Sequence, residues 1–404
     1  MTASTSVTTP NEGEPRRASS KPLQQRVAEA CEVVRSESAA SRAGGRLTDK
    51  AVEAVIGAGL PWLLVATDLG GDGCGLEEYF GAIEDLTCAD GSAGWTVMAA
   101  SGGNGIASSS IPPAAAERIL GPESRGIIVG AAAPTGKAVP TEGGYLMSGR
   151  WQFGSGASFA THFVAGCLQM DSDEQLVMKD GNPVLLMPII PREEVVTHVN
   201  WDVVGLQATA SWDYEFTDVF VPHDQIVDLT DPKTYRAEPT QRIGFLVRVW
   251  AGHTAVALGF AKRALGEVAT ITLSKTRVGY GKSVADSDIF KHEFAQRVMS
   301  YEAARAVIVK ALVAAEEEAG LHGSVSAASH DRLRVSNAWV AQVSDEIVQW
   351  AYSWSGSVAV RRPSEIANVR DDSAVAATHL YVDRINLVEG ASTLLTDWAT
   401  KSSS

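Results

Sequence analysis

The sequence predicts an α+β protein in three consecutive parts: helices, then short strands, then long helices again. Three observations carry that reading. Apolar residues recur at helical spacing from about Pro22 to Gly121, and β-branched runs alternate with turn residues from about Pro122 to Asp231. From about residue 241 onward, four segments of more than 20 residues each return to the helical period. The expected domains are 21–121, 122–232 and 233–404, behind a tail at 1–20.

The tail, MTASTSVTTPNEGEPRRASS, lacks the apolar core of a signal peptide and has the composition of a disordered segment. After it, LQQRVAEACEVVRSESAASRAGG and LTDKAVEAVIGAGL read as helices, the second capped by Thr48. GLEEYFGAIEDLTCADGSAGWTVMAASGG adds two helices joined at Asp90-Gly91. WLLVATDLGGDGCGLEEYF resembles a dinucleotide-binding turn only in part. Gly71 and Gly73 fit the G-x-G-x-x-G pattern, but Leu76 stands at its last position and no βαβ unit surrounds it, so a surface turn is expected.

Strand signals follow in RGIIVGAAAP, GGYLMSGRWQFGSG, THFVAGCLQM, PVLLMPII, VVTHVNWDVVG and SWDYEFTDVFVP, which predict an antiparallel sandwich or barrel. The helical segments near 241–273, 288–320, 326–354 and 371–398 predict a four-helix bundle.

Composition narrows the function classes. The chain is 45% hydrophobic and 20% charged, ordinary for a soluble globular protein. A formal net charge of −14 argues against nucleic-acid and anionic-membrane partners, because phosphates would be repelled. No segment approaches the roughly 20 apolar residues of a membrane span. Cys31, Cys74, Cys88 and Cys167 form no CxxC pair, which fits a reducing cytoplasm without disulfides or a zinc framework. There is no G-x-S-x-G, H-E-x-x-H or Walker motif, and the eight histidines never pair at metal-ligand spacing on one helix, so no metal is expected.

One stretch breaks its own pattern. GRWQFGSGASFATHF (149–163) reads as a strand interrupted by Gly154, Ser155 and Gly156. A β-bulge or turn is one reading. The other is a flat ligand that needs close backbone approach and a hydroxyl. Period-two alternation puts Trp151 and Phe153 on one face beside it.

Four motifs in order resemble the acyl-CoA dehydrogenase superfamily of flavoproteins: DGSAGW (90–95), GGYLMSGRWQFGSG (143–156), WDVVGLQATASWDYEFTDVFVP (201–222) and SGSVAVRRPSEIANVRDDSAVAATH (355–379). The similarity runs from about residue 25 to 396 and implies an N-terminal helical domain, a central β-barrel or sandwich and a C-terminal four-helix bundle. AAAPTGKAVPTEGGY, GRWQFGSG and RDDSAVAATH are closest to the branch of two-component flavin-dependent monooxygenases. That branch implies an oxygenase component that hydroxylates an aromatic or otherwise apolar small molecule through a flavin C4a-hydroperoxide. It further implies reduced FMN or FAD from a separate flavin reductase, and a homotetramer. The alternative is an acyl-CoA dehydrogenase with bound FAD and a glutamate base. Its candidate is Glu389 in LVEGAS, where Val388 replaces the usual tyrosine. Glu389 lies 18 positions after Asp371, farther than the dehydrogenase pattern places it, and reads as a structural residue on a solvated helix face.

The resemblance assigns roles residue by residue. Ser155 is expected to hold the flavin N5–H in a site closed to water, and His379 to act as general base or as a donor to the reacting oxygen. His379 is expected on the last long helix, in a stripe with Asp372, Val375, Val382 and Asn386, with Asp383 orienting it from i+4. Trp151, Phe153, Gly156, Thr209, Ser211 and Arg277 are the further cofactor-binding candidates, with Lys282 a second cation near Arg277. Gln207, Ala208 and Ala210 depart from the family's arginine and glycines in the loop that carries Thr209 and Ser211. Trp95, Met98 and Phe159 are expected to line an apolar substrate pocket, with Phe159 where relatives carry a histidine and His162 three positions later.

Overall fold

The computed structural model describes residues 21–276 and 281–401. The tail expected at 1–20 and the cofactor candidate Arg277 lie outside the described residues. Five helices come first: α1 (Leu23–Gly44), α2 (Asp49–Gly57), α3 (Leu76–Ala89), α4 (Gly91–Ser110) and α5 (Pro113–Leu120). The Thr48 hydroxyl accepts from the Ala51 N–H and caps α2, and Asp90 does the same for α4 through the Ala93 N–H. Between α2 and α3 the apolar run at 62–66 forms no strand. It lies buried among two short 3₁₀ turns, Leu60–Trp62 and Thr67–Leu69.

Nine strands follow: β1 (Ile128–Thr141), β2 (Gly144–Gly154), β3 (His162–Gln169), β4 (Met178–Lys179), β5 (Asn182–Pro183), β6 (Leu185–Pro191), β7 (Val196–His198), β8 (Trp212–Pro222) and β9 (Ile226–Asp228). Seven of them form one sheet in the order β7-β8-β2-β1-β3-β6-β9, and β4 and β5 form a separate pair. Every pairing is antiparallel except β1 with β3, which is parallel and shifts register between Ala131 and Gly136. The all-antiparallel expectation therefore fails at that pair. The chain leaves β1 by a hairpin into β2, then crosses to the other side of β1, and such a crossover brings the next strand in parallel.

A short helix, α6 (Pro239–Arg242), leads into α7 (Gly244–Ser274), α8 (Asp288–His322) and α9 (Ala327–Ser355). Helix α7 is long and apolar enough to cross a membrane by composition, but 72% of that window is buried within the protein. It packs on α9, α3 and α4 as the central helix of the molecule.

The last predicted helix is broken in two. Helix α10 (Glu365–Ala376) ends early and α11 (Ile385–Lys401) begins after an irregular turn. Asp383 starts α11: its carboxylate accepts from the Ile385 N–H at 2.7 Å. The turn is pinned by Asn337 of α9, which donates to the Tyr381 carbonyl, and by Asn386, which donates to the Leu380 carbonyl at 3.1 Å.

One tie joins all three parts. Asp372 of α10 accepts two hydrogen bonds from Arg42 of α1, at 3.0 and 2.7 Å, and a third from the Leu206 N–H at 2.6 Å. Its side chain is buried, so the pair is screened little by solvent. A Cβ at Gly205 would lie 2.1 Å from the Asp371 carbonyl oxygen, so only glycine allows the loop before β8 to seat this closely on α10.

Candidate active site

The interrupted strand turns on a bulge. Pairing of β2 with β8 shifts register between Trp151 and Gly154, and Phe153 takes a left-handed backbone conformation at φ 68°. The extra residue reverses the alternation. Trp151 points inward, 1% exposed, its ring 4.5 Å from that of Phe216 and its indole N–H donating to the Gly166 carbonyl at 2.9 Å. Phe153 points outward, 60% exposed, edge-on to Trp201. The expectation that both share a face against the cofactor is thus corrected: Trp151 is a core residue of the sheet and cannot reach a bound ring. Phe153 and half-buried Trp201 form an edge-to-face aromatic pair at the surface instead.

Beyond the bulge the chain folds onto α4. Gly156 sits at φ 89°, and a Cβ there would lie 3.0 Å from the Thr96 Cγ2 of α4. Its N–H donates to the Thr209 carbonyl at 2.8 Å, tying the turn to the loop before β8. This approach brings three elements to one point. The Trp95 indole N–H of α4 donates to Ser155 Oγ at 3.0 Å, Ser155 and Ser211 lie 2.8 Å apart, and Ser211 and Thr209 lie 2.6 Å apart. Thr209 Oγ1 is also 2.9 Å from the Leu206 carbonyl. Ser155, Ser211 and Thr209 are all buried.

The direction of these bonds is fixed from the far end. A carbonyl only accepts, so the single Thr209 hydroxyl hydrogen goes to Leu206. Ser211 must then donate to Thr209, and Ser155 to Ser211. The relay runs from Trp95 N–H through Ser155, Ser211 and Thr209 to the Leu206 carbonyl. Ser155 has spent its hydrogen and accepts one from Trp95, which leaves one lone pair. Toward a ligand it is an acceptor.

Three rings converge on the other side of Trp95. His253 of α7 lies 5.3 Å from the Trp95 ring and 4.3 Å from His379, which is itself 5.2 Å from Tyr381. His379 stands in the break between α10 and α11, in extended conformation, and not on a helix as its spacing predicted. Asp383 does not orient it, because that carboxylate caps α11. The Tyr381 N–H donates to His379 Nδ1 at 3.4 Å, which places the ring hydrogen on Nε2. Burial pushes the His379 imidazole down to about 4, so it is neutral at pH 7 and offers an N–H donor.

A small cleft of about 20 Å³, room for about one water molecule, lies beside this group, lined among others by Trp95, His253, Phe260, Ser344, Ser373 and Val382. Of the three expected substrate-pocket residues only Trp95 lines it. Met98 packs into the α4–α7 contact against Gly252, and half-buried Phe159 packs against both cores near Gly156. Lys282 is exposed. Glu389 stands on α11, half exposed and ion-paired with Arg334 at 2.8 Å, as expected of a structural helix residue.

Sequence reasoning passed over His253 and Tyr381. His253 had a signal: it is the only ionisable residue between Arg248 and Lys262 on an otherwise apolar helix.

The comparisons agree with this architecture. A family profile described as acyl-CoA dehydrogenase, C-terminal domain, matches residues 251–384. An indole-3-acetate monooxygenase of Pseudomonas putida is 26% identical over 79% of this chain and 79% of its own length. A flavin-dependent monooxygenase, oxygenase subunit HsaA, of Mycobacterium tuberculosis is 34% identical over 45% of this chain and 44% of its own. Among solved structures, XiaF from Streptomyces sp. in complex with FADH2 and glycerol superposes with a TM-score of 0.82 at 21% identity, covering 92% of this chain and 93% of that one. Residues 251–384 thus match the acyl-CoA dehydrogenase C-terminal domain, and the chain is similar to curated flavin-dependent monooxygenases and shares the fold of XiaF.

Proposed function

We propose that this protein is the oxygenase component of a two-component flavin-dependent monooxygenase that hydroxylates a small aromatic or otherwise apolar molecule. The polarity of the hydroxyl relay is the observation that carries this reading. A reduced flavin bears a hydrogen on N5 and an oxidised flavin does not, so an acceptor at Ser155 suits the reduced cofactor. The surroundings fit such a ring: the exposed Phe153 ring beside half-buried Trp201, the tight turn at Gly156, and an apolar wall at Trp95.

When bound, reduced flavin supplies the activation of dioxygen, one atom of which goes to substrate and the other to water. The chain's own residues do the rest. Ser155 would accept the N5–H and keep that proton in place, buried away from water. Ser211 and Thr209 are positioning residues that set the direction of Ser155; they take this role in place of direct cofactor contact. Phe153 and Trp201 would pack on the ring. His379, neutral and with its hydrogen on Nε2, would donate to the reacting oxygen. An acyl-CoA dehydrogenase needs a carboxylate base, and its candidate Glu389 is half exposed and ion-paired with Arg334 at 2.8 Å.

A separate flavin reductase is part of the proposal, supported by the "oxygenase subunit" named in the Mycobacterium tuberculosis relative. So is a homotetramer, supported by the exposed Ile385, Val388, Leu395 and Trp398 along α11. A cytoplasmic setting is proposed from the four free cysteines.

Anaerobic titration with reduced and oxidised FMN and FAD tests the reading, followed by an oxygen pulse with NADH and a reductase. Tighter binding of the reduced form, with little of the consumed oxygen released as hydrogen peroxide when substrate is present, is expected. A purified protein that carries tightly bound oxidised FAD, bleached by an acyl-CoA, overturns it.

A further inference from the structure

His379 sits in a turn whose backbone is held by two buried side-chain amides. Asn386, 8% exposed at the start of α11, donates from Nδ2 to the Leu380 carbonyl at 3.1 Å and to the Asp383 carbonyl at 2.9 Å. Both partners can only accept, so both Nδ2 hydrogens are committed. Turning the amide over would set its oxygen against two carbonyl oxygens. Asn337, fully buried on α9, holds the next carbonyl, that of Tyr381, and its own oxygen lies 2.5 Å from the Thr254 hydroxyl of α7.

The consequence for His379 comes from the planarity of one peptide bond. The Leu380 carbonyl and the Tyr381 N–H belong to the same rigid unit and point in opposite directions. With the oxygen fixed on Asn386, the N–H is directed at His379 Nδ1, 3.4 Å away. An N–H is accepted only by a bare nitrogen, so Nδ1 carries no hydrogen and Nε2 does. Were this peptide turned over, the Leu380 oxygen would face Nδ1, draw the hydrogen there and leave Nε2 an acceptor. Among the described residues no other hydrogen bond reaches the His379 ring, so the choice between the two neutral forms rests on this peptide.

We infer that Asn386 is a positioning residue for His379: by holding the Leu380–Tyr381 peptide in one orientation, it selects the tautomer that presents an Nε2–H donor over the one that presents an Nε2 acceptor. The use of that donor toward a reacting oxygen rests on the monooxygenase reading; the tautomer itself does not.

The test is nitrogen-15 NMR of the full chain without flavin, labelled at the histidine side chains, near neutral pH. Protonated and bare ring nitrogens resonate far apart, and the signals missing from His379→Asn identify the residue. Wild type is expected to be predominantly the Nε2–H form. Asn386→Leu, close in shape, removes both bonds and should move the tautomer ratio toward Nδ1–H by about fivefold, the scale of one net hydrogen bond. Asn386→Gln, which returns a donor, should recover part of that change. Should Asn386→Leu fail to fold, Asn386→Asp, of the same shape and with no hydrogen to give when ionised, decides the same question. A merely structural role would lower the melting temperature and leave the ratio alone, and that result overturns the inference. So does an Nδ1–H tautomer in wild type. Titration with reduced FMN keeps the two readings apart: a wild-type protein that binds no reduced flavin sinks the monooxygenase reading, whereas an unmoved tautomer sinks only the role of Asn386.

Discussion

Replacing Thr209 with valine removes the anchor that sets the direction of the relay. Thr209 is 1% exposed, and valine matches its shape, so packing changes little. Ser211 loses its acceptor at 2.6 Å, while the Leu206 carbonyl keeps its bond from the Trp201 indole at 2.9 Å. With no acceptor ahead of it, Ser211 turns its hydrogen back to Ser155, 2.8 Å away. Ser155 now accepts from both Trp95 and Ser211, and its own hydrogen is free to point at the ligand. An acceptor has become a donor. Reduced flavin loses about 1 kcal/mol at N5 and oxidised flavin gains about as much, each the net value of one neutral hydrogen bond. The ratio of the two dissociation constants should therefore move by about 2 kcal/mol, or roughly 30-fold, toward the oxidised form. For a two-electron couple the same change lowers the midpoint potential of bound flavin by about 40 mV. Anaerobic titrations with both redox forms, and a spectroelectrochemical titration, measure it. An unchanged ratio in a Thr209→Val protein that retains its melting temperature would refute the directed relay.

Further outcomes follow from the same geometry. Trp151→Ala should cost about 3–5 kcal/mol in a denaturant titration, since it empties the core of the sheet. Phe153→Ala should stay within about 1 kcal/mol in stability yet weaken reduced-flavin binding severalfold; the opposite pattern would show the bulge to be misread. Because burial lowers the His379 pKa from its ordinary value to about 4, the unfolded chain binds the extra proton first as pH falls. The stability this group contributes is complete above about pH 6.5 and is lost toward pH 4, by up to about 2 kcal/mol between pH 7 and 5. His379→Asn should flatten that part of the melting-temperature profile. Glu389→Gln should leave turnover within about twofold, as for an exposed ion-paired helix residue; loss of turnover would revive the dehydrogenase alternative.

Local chemistry was legible residue by residue. Thr48 caps the helix it was expected to cap, and Asp90 caps the second of the two helices expected to join there, because a cap depends only on a side chain and the next turn of its own backbone. The relation of Trp151 to Phe153 was not legible, since one inserted residue in a strand inverts its alternation and the partner strand decides where that residue goes. His379 could be picked out as a residue type in a motif. Its place off the helix could not, because the break depends on Asn337, more than forty positions earlier, holding the Tyr381 carbonyl.

By itself the sequence determined the succession of helices, strands and helices, through hydrophobic period and turn residues, and it singled out Ser155, Thr209, Ser211 and Trp95 as side chains capable of the chemistry. Only the tertiary structure decided that these four form one directed relay and that His253 completes a facing pair with His379. The reason is physical. Periodicity and capping are properties of neighbours in the chain, whereas the direction of a hydroxyl and the tautomer of an imidazole are set by whichever carbonyl the fold brings within reach.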